Sequence, residues 1–242
     1  MSSEASNRPS SEARIVHTED ALAWLRAHAP IPGASLVASL PDYSEFPGLS
    51  LGEWKSWFTD AASLVLASTP DEGVAIFFQS DIKHEGEWID KSYLVQRAAE
   101  ASGHALLFHK VLCRAAPGAT TFGKPAYSHL LAFSRTVRPP AERSTADVIP
   151  DLGDKAWVRG MGFAACRIAV DLVVRETPTR TIVNPFCGYG SVLAAANAAG
   201  LRAVGIERSP KRADRARRLR VNAAGDGFAE LDERPAETIT GA

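Results

Sequence analysis

The residues Thr181-Ile182-Val183-Asn184-Pro185-Phe186-Cys187-Gly188-Tyr189-Gly190-Ser191 run from a β-branched stretch into a proline and two glycines, and an alanine-rich helical pattern follows at once. That order dictates strand, tight turn and helix N-terminus. Gly200 stops the helix, residues 202–206 form a second apolar strand, and an acid, Glu207, closes it. Such a unit can hold a nucleotide-type cofactor. Gly188 and Gly190 let a ligand approach the backbone, helix N–H groups take its anionic end, and the Glu207 carboxylate accepts ribose hydroxyls. A plain strand-to-helix connection is the alternative, and the closing acid weighs against it. A second stretch, Ser39-Leu40-Pro41-Asp42-Tyr43, ends a short buried strand at 35–40. Asp42 there can serve as a general base, as a hydrogen-bond acceptor for an amine, or as the cap of a turn.

The spacing Asn184-Pro185-Phe186-x-Gly188-x-Gly190-Ser191, with Gly205-Ile206-Glu207 about twenty residues on, lacks the three glycines of the dinucleotide fingerprint. It resembles the S-adenosylmethionine loop of class I methyltransferases, above all the Asp-Pro-Phe-x-Gly-Ser-Gly-Thr form of amino-methylating DNA methyltransferases. The resemblance implies S-adenosylmethionine as cofactor, with Asn184, Pro185, Phe186, Gly188, Gly190, Ser191 and Glu207 around it. It extends over about residues 13–220. Residues 15–43 resemble the strand, Asp-Ala-Leu helix (here Asp20-Ala21-Leu22) and catalytic strand of these enzymes. Residues 110–135 resemble the later strand–loop–strand ending in His129-Leu130-Leu131-Ala132-Phe133-Ser134-Arg135. An ordinary class I enzyme carries its cofactor loop near the N-terminus. Here the loop lies roughly three-quarters along the chain, which implies a circularly permuted order.

Asp20 is expected near the adenine because its strand lies on the cofactor side, and the same resemblance puts Lys155 near the methionine end of the cofactor. Amino methyltransferases carry Asp/Asn/Ser-Pro-Pro-aromatic at the acceptor. Ser39 and Pro41 align with its polar residue and second proline, Leu40 replaces the first proline, and Asp42 stands where the ring belongs. Tyr43 supplies a ring one residue late. The catalytic set expected is therefore Ser39, Pro41, Asp42 and Tyr43. Sequence-specific DNA enzymes of this order insert a recognition domain after the His129 strand, whereas about twenty residues intervene here. The expected acceptor is nucleic acid, preferably a base amino group in ribosomal or transfer RNA. The alternatives are a methyltransferase for a small molecule or protein side chain, and a non-catalytic cofactor- or RNA-binding module. The basic helix at 211–220 offers a phosphate-contacting face or a merely solvated one.

These residues must be positioned by a chain of 242 residues with 45% apolar content, enough for one well-buried core. Net charge is −1, so nothing global draws it to nucleic acid or membrane. The apolar runs are too short to span a bilayer and no signal-peptide core opens the chain. Cys113, Cys166 and Cys187 lack metal-ligand spacing, as do His84, His109 and His129, so no metal and a reduced cytoplasmic setting are expected. Trp54 and Trp57 share a helical stripe read as core, and Asp81 ends a strand near the expected site. Strands and helices alternate, and strands at 105–114 and 126–134 follow without a helix between, so they should be antiparallel neighbours. Helices are expected at 92–102 and 158–175. The fold class is a doubly wound, mostly parallel α/β sheet, Rossmann-like, with an antiparallel edge strand. Residues 1–12 read as a disordered tail, 13–222 as the domain and 223–242 as a flexible acidic tail.

Overall fold

The computed structural model describes residues 13–230. The expected tail at 1–12, and 231–242 of the other, lie outside the described residues. One eight-stranded sheet organises the rest, in the order β1 (Arg14–His17), β10 (Arg202–Ile206), β9 (Thr181–Pro185), β2 (Ala34–Ala38), β3 (Ala75–Gln79), β7 (Tyr127–Ser134), β6 (Ala105–Cys113) and β8 (Val148–Ile149). The central strands β2 and β3 are buried at every position, the continuous apolar pattern of a sheet covered on both faces. Alternate side chains supply two cores. Leu36, Ala38, Ala75 and Phe77 pack with α1 (Ala21–His28), α2 (Leu51–Ser68) and α3 (Lys91–Ala101) through Leu25, Trp54, Phe58 and Val95. Val37, Ile76 and Phe78 face α4 (Phe163–Glu176), α5 (Ser191–Ala198) and α6 (Pro210–Arg218) through Cys166, Leu193 and Ala213.

β9 leads outward through α5 to β10, whereas its other neighbour β2 leads the opposite way through α2 to β3. The strand order therefore reverses between β9 and β2, where open α/β sheets bind their ligands. The expected doubly wound class is the one observed, and β6 and β7 are antiparallel neighbours as expected. The reversed strand sits inside the edge: β7 runs antiparallel to both β3 and β6, and β8 lies beyond, parallel to β6.

After β3 the chain forms a hairpin, β4 (Ile82–His84) and β5 (Glu87–Ile89), turned by left-handed Glu85 and Gly86. Two segments depart from the sequence reading. Helix α4 begins at Phe163, later than residue 158, with Gly162 as its extended N-cap (φ −66°, ψ 155°) packed against Leu152. The freed segment becomes a wall of the site. Residues 223–230 are held in place rather than loose. β11 (Leu219–Val221) pairs with β12 (Phe228–Glu230), the Phe228 N–H donates to Asp154 at 2.8 Å, and the Phe228 ring meets Phe163 edge-on. No described helix is long and apolar enough to cross a membrane.

Candidate active site

Parallel pairing aligns Gly205 with Asn184 and Ile206 with Pro185, so β9 and β10 end side by side. Beyond them the chain turns through Phe186, Gly188 and Gly190, all left-handed, with φ of 60°, 56° and 83°. A β-carbon on Gly190 would lie 3.0 Å from Ala216 of α6, and one on Gly188 would lie 3.3 Å from the Trp157 ring. The turn thus needs glycine for conformation and for contact. Helix α5 starts at Ser191 with no side chain capping its first N–H groups, which leaves a helix N-terminus suited to an anionic group.

Glu207 is 5% exposed and holds this turn to the end of β10. It accepts from the Gly188 N–H at 3.2 Å and the Ser209 N–H at 2.8 Å, and pairs with the Arg212 guanidinium at 3.0 Å. Asn184 donates to the Val37 carbonyl, fastening β9 to β2 at the reversal point. Burial, then the neighbouring Glu207 charge, push the Cys187 thiol up to about 12. It stays protonated and fills space.

A cleft of about 1160 Å³, open mouth included, lies over this reversal point. Asp20, Ser39, Pro41, Asn184, Phe186, Gly188, Ser191 and Glu207 all line it. Pro185 and Gly190 shape the turn from behind. Aromatic walls come from Phe46, Trp57 and Trp157, with Trp57 edge-on to Phe186. A buried acid, an uncapped helix start and aromatic walls are a donor set that fits a nucleoside carrying a charged tail.

Asp42 and Lys155 line a second cleft, of about 1180 Å³, which shares Ser39, Leu40, Glu45, Arg159 and Gly160 with the first. Asp42 caps the 3-10 turn Tyr43–Glu45 by accepting from the Tyr43 N–H, while Glu45 accepts from the Asp42 N–H. The capping contact is thus present, and Lys91 Nζ also lies 3.4 Å from Asp42 Oδ1. Lys91 is 3% exposed; burial pushes its pKa down, with Asp42 pulling the other way. Tyr43 lines neither cleft. Its ring packs edge-on against His84 and Trp54, and its hydroxyl donates to the Leu49 carbonyl at 3.1 Å.

Asp81, at the end of β3, accepts from the Trp88 indole at 3.0 Å and the Lys91 N–H at 2.9 Å, and His129 Nε2 lies 3.0 Å away. His129 in turn shares a 2.8 Å hydrogen bond with His109. Ligand atoms of Asp81, Asp90 and His129 lie within 4.8 Å of one another, yet each residue is already engaged by hydrogen bonds, Asp90 as the α3 cap.

Sequence reasoning missed Trp57, Trp157, Arg159 and Arg212 at the first cleft. Trp54 and Phe58 of the α2 stripe are fully buried, whereas Trp57 is only partly so and reaches the ligand space. It sits at the edge of the stripe, the one signal available.

No family model and no curated protein match the chain. Solved structures do. TTHA0409 of Thermus thermophilus, a candidate DNA modification methylase complexed with S-adenosyl-L-methionine, aligns at 19% identity and TM-score 0.62 over 84% of this chain and 91% of that one. PvuII DNA methyltransferase, cytosine-N4-specific, aligns at 16% identity and TM-score 0.63 over 84% and 85%. The complex of M1.HpyAVI with the same cofactor aligns at 12% identity and TM-score 0.55 over 84% and 97%. At such identities the likeness shows the fold: a Rossmann-like class I methyltransferase architecture.

Proposed function

We propose that the protein is an S-adenosylmethionine-dependent methyltransferase acting on an exocyclic amine of a nucleic-acid base, with RNA as the preferred acceptor. The observation that carries this reading is the meeting of two clefts at the Ser39–Leu40 wall, the first floored by a buried acid and a glycine turn. When bound in the first cleft, the cofactor supplies an activated methyl group. Glu207 would accept the ribose hydroxyls, α5 N–H groups would take the carboxylate end, and Asp20 would lie toward the adenine. Ser39, at the shared wall, and Asp42, in the lining of the second cleft, would accept the amine hydrogens and aim the nitrogen lone pair toward the first cleft. The acceptor enters from the second cleft, so Lys155 belongs to the acceptor side of our reading.

The preference for RNA rests on the short path from β7 to α4. Among the described residues it contains a 3-10 turn (Ala141–Arg143), β8 and the loop walling both clefts, with no separate unit for reading a defined duplex sequence. The solved neighbours named above are DNA methylases, so DNA is the competing polymer. We also read the order of parts as a circular permutation, since the β9–α5–β10 unit is late in the chain yet central in the sheet. Three free cysteines support a reduced cytoplasmic setting.

The test is transfer of labelled methyl from S-adenosylmethionine to separate RNA, DNA, protein and small-molecule pools. Label in RNA supports the full reading, and label in DNA corrects the polymer. Label only in protein or metabolites, or binding with no transfer, overturns it.

A further inference from the structure

The second cleft holds chemistry that methyl transfer alone does not use. Gln79, the last residue of β3, is part of its lining and is 1% exposed. Neither its amide nitrogen nor its amide oxygen has a hydrogen-bond partner among the described residues. Buried polar groups are normally paired, and an unpaired amide is costly compared with an apolar side chain of the same size. Its position in a ligand-sized cleft gives that cost a purpose. An amide presents a donor and an acceptor side by side, the complement of the adjacent donor and acceptor on a base edge. The hydroxyls of Ser80 and Ser128, also in the lining, are already bonded to each other at 2.6 Å, whereas the buried Gln79 amide has no partner among the described residues.

The mouth is positively charged. The cleft's carboxylates are engaged: Asp42 with Lys91, Asp81 with His129, and Glu45 with Arg159 at 3.8 Å. Arg114, Lys124 and Lys155 line the same cleft with no ion-pair partner among the described residues. Burial, then the nearby Arg114 charge, push the Lys155 amine down. These cations, with Lys83 over the Trp88 ring as a fourth in the lining, fit a phosphate-bearing ligand whose base goes in first, beside the recessed amide.

We propose that Gln79 is the specificity-determining residue of the acceptor cleft, reading the edge of a base extruded from a nucleic-acid strand whose phosphates sit on Arg114, Lys124 and Lys155. This rests on the methyltransferase reading above and adds the residue that chooses the base. A flat ring entering the cleft places its edge on the Gln79 amide while its amine faces the Ser39–Leu40 wall.

The experiment measures fluorescence anisotropy of short single-stranded RNA and DNA oligonucleotides, each enriched in one base, with S-adenosylhomocysteine present. Calorimetric titration with S-adenosylhomocysteine alone runs in parallel on every variant. Gln79→Met keeps the volume and removes the amide. It should weaken the preferred oligonucleotide by roughly tenfold to a hundredfold and flatten the base preference, with unchanged S-adenosylhomocysteine affinity and a melting temperature no lower than wild type. Gln79→Glu, which keeps the shape but loses the donors, should change which base is preferred and serves if the methionine variant fails to fold. Combined Arg114→Glu and Lys124→Glu should weaken all oligonucleotides alike and flatten the salt dependence. Oligonucleotide affinity and base preference unchanged in either folded Gln79 variant would overturn the inference, as would wild type that binds S-adenosylhomocysteine but no oligonucleotide. Failure of wild type to bind S-adenosylhomocysteine would instead overturn the methyltransferase reading beneath it.

Discussion

His129 Nε2 lies 3.0 Å from Asp81 Oδ2, and both side chains are buried. The pair joins β7 to the end of β3, and the Trp88 indole ties the β4–β5 hairpin to the same carboxylate. Burial alone would raise the Asp81 pKa. Hydrogen bonding and the charge of His129, with the Trp88 and Lys91 N–H groups, outweigh it and hold the carboxyl below its ordinary value of 3.8. The rim of the second cleft is therefore an electrostatic joint.

Asp81→Asn should destabilise the protein by about 3–5 kcal/mol, the usual cost of breaking a buried pair. A carboxyl whose folded pKa is depressed contributes stability that is present above its unfolded value and lost as pH falls through the folded one. Wild type should therefore lose this contribution below about pH 4, and urea midpoints of Asp81→Asn should be flatter there. Equal midpoints at pH 7 would refute the joint.

Gly190→Ala places a β-carbon 3.0 Å from Ala216 at a φ of 83°. The left-handed conformation costs about 1–2 kcal/mol, and overpacking against α6 adds about 1–3 kcal/mol. Gly200→Ala, at a φ of 77° with nothing within 4 Å, should lose only the first part. Urea denaturation of both separates the two, and equal losses would deny the close approach.

Asp42 lines the second cleft and not the first. Asp42→Asn should leave S-adenosylhomocysteine affinity intact while methyl transfer falls by about 10²-fold or more, the size of a general-base contribution. Full turnover would move the chemistry to Ser39 or to proximity alone.

Tyr43 lines neither cleft, whereas Trp57 lines the first. Tyr43→Phe removes one hydroxyl bond to Leu49 and should cost about 0.5–1.5 kcal/mol of stability, with ligand affinities unchanged. Trp57→Ala should weaken S-adenosylhomocysteine by up to about 3 kcal/mol. Calorimetry on the two variants decides which ring faces ligand.

The glycine turn was legible because Pro185, Gly188 and Gly190 punctuate it locally, and Glu207 closes the next strand in plain view. The doubly wound sheet was legible from continuous apolar strands, and the β6–β7 pair from the missing helix between them. What stayed hidden is tertiary. Val158 and Met161 continue a helical pattern, but Gly162 is extended as the N-cap, where contact with Leu152 leaves no room for a side chain. Asp81 and His129 meet from 48 residues apart, and the unpaired amide of Gln79 is visible only once the cleft around it exists. Asp42 looked like chemistry or a cap, and the cap contact to the Tyr43 N–H and the approach of Lys91 are visible only in the structure.

The most direct test is calorimetric titration of S-adenosylhomocysteine into wild type and Glu207→Ala. Wild type should bind, and the variant, which leaves Gly188 N–H and Arg212 without their acceptor, should lose about 1.5–3 kcal/mol, roughly tenfold to a hundredfold in affinity. Equal affinity in the two proteins, or no binding by wild type, would contradict the assignment of the first cleft.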